Sequence, residues 1–311
     1  MIRSSLLLSL LFSLLYSQEL VSRTKVMMGT FITLSVTSDK QDVLQKGFNV
    51  LKKVDNALSS FKNSSDIYRL NQTKSQKLSP FSYQALMLSK KYYKQSNGYF
   101  DITIGSLTKD VYQFGNESIN EINTTLQQES YININALHVN NTYASLDKGI
   151  KVDLGGMGKG FGVDKVYEVF KKAGVNKGVI QLSGDIKCIS TCSISITNPF
   201  KPDTVFATFY TKKKLIAIST SGNYRRYIKT KKQNHLLNPY TKTSQQVFAS
   251  ITLISKGSNS ELDAMATAIM VMPKKEALAF LQAKKYHYIL IDNNKKLYIS
   301  KNLERVVDIT Y

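Results

Sequence analysis

The chain has 311 residues, 42% of them hydrophobic and only 5 of them proline, which excludes a disordered or linker-divided polypeptide and leaves one large domain or two intimately packed ones. Its formal net charge of +20 invites a nucleic-acid or membrane reading, but the lysines are dispersed, with short runs such as Lys212-Lys213-Lys214 and Lys229-Thr230-Lys231-Lys232, and no recognition module interleaves them. The charge therefore reads as a solvated basic surface, and no nucleic-acid partner is expected.

From the N-terminus, Arg3 supplies a positive segment, Leu6 to Tyr16 an apolar one, and Ser17 a small residue where a signal peptidase can cut. The apolar run falls short of the roughly 20 residues a spanning helix needs. Residues 1–17 thus read as a cleaved signal peptide and 18–311 as the mature domain, exported to the periplasm, with no cysteine after the apolar segment to carry a lipid. Ile32, Leu34 and Val36 alternate with polar residues as a half-buried strand to Thr37, and Val43, Leu44, Phe48, Leu51, Val54 and Leu58 mark a helix over 41–58. A second helix is expected over 83–95, stopped at Gly98. The segment 115–141 has little period and reads as a surface insertion.

The densest pattern follows. Residues 152–164 read Val-Asp-Leu-Gly-Gly-Met-Gly-Lys-Gly-Phe-Gly-Val-Asp. Glycines that reach positive φ let backbone approach an anion, and the amphipathic run from about Phe161 to Ala173 would aim free N–H groups at it. The plainer alternative is a tight strand-to-helix turn without a ligand. A P-loop is excluded because Gly160 follows Lys159 where Ser or Thr is needed, and the dinucleotide fingerprint G-x-G-x-x-G with a later acid is absent. Strands are expected over 178–183, 193–197, 205–210, 215–219 and 248–255, helices over 261–271 and 274–283, and a last hairpin from 286–291 and 296–300. Such an order predicts an α+β fold with mainly antiparallel sheets. Cys188 and Cys192 are too few for a tetrahedral metal site, and in an oxidising compartment a local disulfide is the better expectation.

With other segments beside it, the glycine-rich stretch resembles the FAD:protein FMN transferases, the ApbE-type flavin transferase family. The segments are Met28-Gly29-Thr30; Leu58-Ser59-Ser60-Phe61 followed by Asp66-Ile67-Tyr68-Arg69-Leu70-Asn71; Gly98-Tyr99-Phe100-Asp101-Ile102-Thr103; Thr220-Ser221-Gly222-Asn223-Tyr224 leading to His235-Leu236-Leu237-Asn238-Pro239; and Asp263-Ala264-Met265-Ala266-Thr267. They occur in the family's order across nearly all of the mature chain.

The resemblance implies that a Thr or Ser hydroxyl of a target flavoprotein attacks the FMN phosphorus of FAD and AMP leaves, with Mg²⁺ neutralising the phosphoryl oxygens. By the same resemblance, Met28, Phe61, Tyr99, Phe100, Asp101, Asp153, Lys159 and Leu237 line FAD, and Asp263, Thr267 and the backbone oxygen of Gly156 hold the metal. Asp263 and Thr267 stand i, i+4, on one helix face. From the residues alone, Ser260-Glu261-Leu262-Asp263 also fits an N-terminal cap, with Asp263 merely satisfying backbone N–H groups. His235, at the head of its matching segment, is expected to accept the hydroxyl proton or to orient the phosphate. Asn238 stands where relatives usually have Asp, Lys242 where they have Gly, and Ala266 where some relatives carry another oxygen donor. Two other activities remain open at this stage, an FAD pyrophosphatase and a non-enzymatic flavin carrier. Peripheral association with membrane-bound redox complexes is a further expectation.

Overall fold

The computed structural model describes residues 19–116, 118–119, 121–201, 203–284 and 286–310, so the expected signal peptide lies outside the described residues. The chain opens with a hairpin in which β1 (Leu20–Met27) runs antiparallel to β2 (Thr30–Thr37), Met27 opposite Thr30. Met28 and Gly29 form its two-residue turn with φ of 52° and 71°, the positive values such a turn requires. β1 carries no alternation to reveal it, because it is an edge strand with mostly exposed side chains.

α1 (Asp42–Leu58) buries the periodic residues that predicted it. α2 (Asp66–Thr73), capped by Ser65, and β3 (Ser75–Lys77) precede α3 (Pro80–Gln95). α3 begins three residues before the expected Tyr83, since Ser79 caps it and Pro80 occupies its first turn. α4 (Gly105–Leu107) leads into a π-helical turn over Thr108–Tyr112. The segment 115–141 is a surface insertion only in part. α5 (Thr124–Glu129) has no buried residue, but Ile134, Ala136 and Leu137 are buried, and β4 (Leu137–Val139) pairs with β5 (Tyr143–Leu146).

The remainder runs α6 (Gly158–Lys172), β6 (Gly178–Leu182), β7 (Asp185–Cys188), β8 (Ser193–Thr197), β9 (Val205–Thr211), β10 (Ile216–Gly222), β11 (Phe248–Ser255), α7 (Asn259–Val271), α8 (Lys274–Lys284), β12 (His287–Asp292), β13 (Leu297–Ile299) and β14 (Val307–Thr310). Eight strands form one antiparallel sheet in the order β1-β2-β6-β7-β10-β11-β12-β13, beside two three-stranded sheets, β14-β9-β8 and β3-β5-β4. The fold is α+β and mainly antiparallel, as the sequence predicts.

Alternation along the strands divides the large sheet between two layers. Leu34 and Ile180 pack with Phe48, Val166 and Phe170 of α1 and α6, and Ala217 and Leu253 pack with residues of α3 and α7. Ile216, Ile218 and Ile254 turn the other way, onto Ile194, Phe209 and Val307 of the small sheet. Cys188 and Cys192 are disulfide-bonded, joining the end of β7 to the approach to β8. Register places the site. Ile32 opposes Leu182 and Asp185 opposes Ser219, so the Met28-Gly29 turn, the Ser183-Gly184 turn and the far part of β10 share one end of the sheet.

Candidate active site at the end of the large sheet

The glycine-rich stretch is not a loop of left-handed glycines. None of Gly155, Gly156, Gly158, Gly160 and Gly162 has positive φ, and α6 starts at Gly158, three residues before the predicted Phe161. What these glycines supply is close approach. A Cβ on Gly160 would lie 2.3 Å from the Asn259 carbonyl oxygen and 2.8 Å from Asp263 Cβ, and one on Gly162 2.9 Å from Leu182 Cδ2. α6 and α7 therefore meet almost backbone to backbone. One N–H of the first turn is already spent, because Gly160 N donates to Asp263 Oδ2 at 3.0 Å.

The contact assembles a charged cluster. Lys159 Nζ lies 3.5 Å from Asp185 Oδ2 and 4.0 Å from Asp263 Oδ2. Asp185 and Asp263 are both buried, and Ser219 Oγ donates to Asp185 Oδ1 at 2.6 Å. Burial, reinforced by the charge of Asp263, pushes the Asp185 carboxyl up to about 7, while Asp263 and Asp185 hold the Lys159 ammonium above its ordinary value. Two carboxylates face one ammonium, an excess of negative charge that a divalent cation would offset.

The residues present fit such an ion. Thr267 Oγ1 donates to the Gly156 carbonyl oxygen at 3.3 Å, and Asp263 sits one turn earlier on α7, giving a carboxylate, a hydroxyl and a carbonyl, the oxygen set that Mg²⁺ takes together with waters. Among the described residues no group of three or more His, Cys, Asp or Glu side chains is placed to hold a metal, so the hydroxyl and backbone oxygen are essential to that set. Asp263 does not cap its own helix; the backbone N–H that it satisfies is that of Gly160, in the first turn of α6. Ser258 caps α7, accepting from Glu261 N, and Asp164 accepts from the N–H groups of Asn259 and Ser260 at 2.8 and 2.9 Å.

Asp153 stands on the other side of the glycines. It accepts from Gly155 N at 2.9 Å and Thr108 Oγ1 at 2.8 Å, and Lys109 Nζ lies 3.2 Å away. Against a desolvation that would raise it, the Lys109 cation and these hydrogen bonds keep the Asp153 pKa low. Lys109 Nζ also lies 3.8 Å from the ring centroid of Phe61, a residue that is 65% exposed.

His235 is half-buried. Both its backbone N–H and its Nδ1–H donate to the Arg226 carbonyl oxygen, at 3.1 and 3.0 Å. This fixes the tautomer with Nε2 as the acceptor. Desolvation, with the nearby Arg226 and Lys159 cations, pushes the imidazole pKa down to about 4. Asn238 does not stand in for a carboxylate partner. Its side chain closes a turn by accepting from Tyr240 N and Thr241 N and donates to the Val271 carbonyl. Lys242 takes φ of 58°, a left-handed value that favours glycine.

The other predicted ligand residues are placed less openly. Met28 stands with its sulfur 3.7 Å from where a Cβ on Gly162 would be. Phe100 is buried edge-on to Tyr92, beneath Gly156. The Asp101 carboxylate accepts from Thr103 N and Oγ1 at 2.8 and 2.6 Å. Tyr99 donates to Glu276 and packs edge-on to Tyr240, and Leu237 is buried with Leu107, Val111 and Phe114. Three residues with charge at the site carried no sequence signal: Asp185, Lys109 and Arg226. Each is an ordinary charged residue in sequence, and only the pairing of β7 with β10, the π turn and the loop before His235 bring them in.

An antiparallel sheet with a buried lysine–carboxylate cluster at one end, at the start of a glycine-spaced helix, defines an α+β protein with a charged site there. The ApbE family model matches residues 28–290, and the chain belongs to that family. Among relatives, the FAD:protein FMN transferase of Buchnera aphidicola (Schizaphis graminum) is 28% identical over 71% of this chain and 70% of its own length. That of Vibrio cholerae is 25% identical over 82% and 81%. The ApbE protein of Thermotoga maritima shares the fold with a TM-score of 0.83 at 20% identity, over 92% of this chain and 99% of that one. The flavin transferase ApbE of Vibrio cholerae does so with a TM-score of 0.79 at 21% identity, over 93% and 99%.

Proposed function

We propose that the protein transfers FMN from FAD to a Thr or Ser hydroxyl of a target protein, releasing AMP. The observation that carries this reading is the convergence, within a chain of the ApbE family, of Lys159, Asp185, Asp263 and His235 around the helix start that the resemblance assigns to FAD. The names of the relatives support the donor and the group transferred.

His235 Nε2 takes the acceptor proton as the hydroxyl oxygen bonds to the FMN phosphorus. The bond from that phosphorus to the bridging oxygen breaks, and AMP leaves with the bridging oxygen. Lys159 and Arg226 bind and orient the pyrophosphate, and Phe61 presents an apolar face to the flavin. Asp263, Thr267 and the Gly156 carbonyl would hold Mg²⁺, whose chemistry there is to neutralise charge on the phosphoryl oxygens.

Asp263→Asn tests the assignment, since the amide retains an acceptor for Gly160 N. Mass gain of a Thr-containing acceptor, followed in FAD and Mg²⁺, should fall on the order of 10²–10³ in rate, with the circular dichroism unchanged. Turnover close to wild type at saturating Mg²⁺ would remove Asp263 from the metal. Free FMN with an unmodified acceptor would instead favour the pyrophosphatase. The protein is further proposed to be exported, in keeping with its disulfide.

A further inference from the structure

Between β10 and His235 the chain doubles back on itself. Tyr227 bridges to Asn234, Ile228 N donates to the Gln233 carbonyl at 3.1 Å, and His235 N donates to the Arg226 carbonyl at 3.1 Å. The result is a hairpin-like loop with Arg226 and His235 at its base and Lys229, Lys231 and Lys232 at its tip, all three exposed. Arg225 and Arg226 are exposed too and donate to neutral oxygens, of Thr197 and Phe114. Among the described residues none of these five cations, gathered on one loop that ends at His235, forms an ion pair. Gathering like charges without an acid works against the fold, so the loop suits a partner that supplies the acid.

We propose that this loop docks an acidic segment of the acceptor protein, with Asp or Glu residues flanking the Thr or Ser that receives FMN. The proposal rests on the transferase reading and names the acceptor's chemistry. An extended acidic segment running from tip to base meets the lysines first and brings its hydroxyl to His235. A flat anionic bilayer meets the tip alone, and the FAD pyrophosphate already has Lys159 and Arg226.

The test uses fluorescein-labelled peptides carrying one Thr flanked by Asp, or by Asn in the control, titrated with the FAD-free protein. The wild type should prefer the acidic peptide by about tenfold or more at low salt. Lys229→Gln/Lys231→Gln/Lys232→Gln should abolish the preference. Lys212→Gln/Lys213→Gln/Lys214→Gln, an equal charge change at the opposite end of β10, should keep it. With FAD and Mg²⁺ present, the loop variant should raise the peptide KM while leaving kcat and FAD affinity near wild type.

Equal binding of the two peptides overturns the proposal, as does a loss shared by both triple variants, which would mean bulk charge. Weakened FAD affinity in the loop variant overturns it in favour of the dinucleotide. Lysine-dependent pelleting with phosphatidylserine vesicles, without peptide preference, overturns it in favour of a membrane. Preference intact with no FMN transferred to either peptide keeps the docking surface and sinks the transferase reading.

Discussion

Removing the Lys159 ammonium takes a cation from a bound pyrophosphate and also leaves Asp185 and Asp263 buried together without it. Lys159→Ala should therefore weaken FAD binding roughly ten- to hundredfold, the equivalent of about 1.5–3 kcal/mol for a charge-assisted contact, and lower the melting temperature as well. The binding loss should persist at high salt, because a contact inside the site is screened less than an exposed one, for which the Debye length is about 10 Å at 0.1 M. Calorimetric titration at two ionic strengths reads this directly. Equal FAD affinity in the two proteins would leave Lys159 a counterion of the fold alone. His235 gives a second outcome at this scale. Its pKa of about 4 keeps the imidazole neutral, and Nε2 able to accept a proton, well below the usual histidine range. The acidic limb of kcat/KM should accordingly fall near pH 4 rather than near 6.5. Between those values the unfolded chain binds a proton that the folded one does not, so stability declines as pH drops through 6.5 toward 4. Urea midpoints at pH 7 and pH 5 should separate more in wild type than in His235→Gln. Lys159 and Asp153 were legible in the sequence because they stand in a conspicuous glycine pattern, and Asp263 because it is spaced i, i+4 from Thr267, whereas Asp185 was not, since nothing local marks a strand residue whose importance comes from its cross-strand neighbour.

At the scale of elements, the glycines of α6 separate into those that permit contact and those that do not. Gly160→Ala drives a methyl into the Asn259 carbonyl and Asp263, forcing α6 from α7, and should cost about 1–3 kcal/mol by overpacking. It should also weaken Mg²⁺ affinity, because Asp263 moves with α7. Gly158 has nothing within 4 Å of an added Cβ. Gly158→Ala should be neutral or stabilising by up to about 1 kcal/mol. Denaturation midpoints of the two variants decide the matter, and equal effects would show that α6–α7 proximity is not what these glycines provide. The helix α1 was legible because it buries one regular face, and α7 and β11 because they are apolar runs buried almost all round; β2 was legible from its alternating sequence. β1, α2 and β14 were not, because an exposed edge strand, a helix of two turns and a four-residue strand lack the length over which a period declares itself.

For the whole molecule, the Cys188–Cys192 disulfide predicts that alkylation of the unreduced protein labels neither thiol, and the proposed export predicts that N-terminal sequencing of the mature protein begins near residue 18. Two labelled thiols, or an intact Met1 in a cytoplasmic fraction, would count against export. By itself the sequence determined the α+β class, the antiparallel sheet, the family's motifs in order and the i, i+4 pair Asp263–Thr267, since each is encoded in local periodicity or in residue types at fixed spacing. Only the tertiary structure decided what the motifs do together. It set α6 against α7 at glycine contact and placed Asp185 beside Lys159 through the β7–β10 register. It gave α7 its cap from Ser258 and Asp164, leaving Asp263 free of that task, and tied His235 to the Arg226 carbonyl at the base of a basic loop. These are relations between residues far apart in the chain, and no local pattern records a distance that only packing fixes.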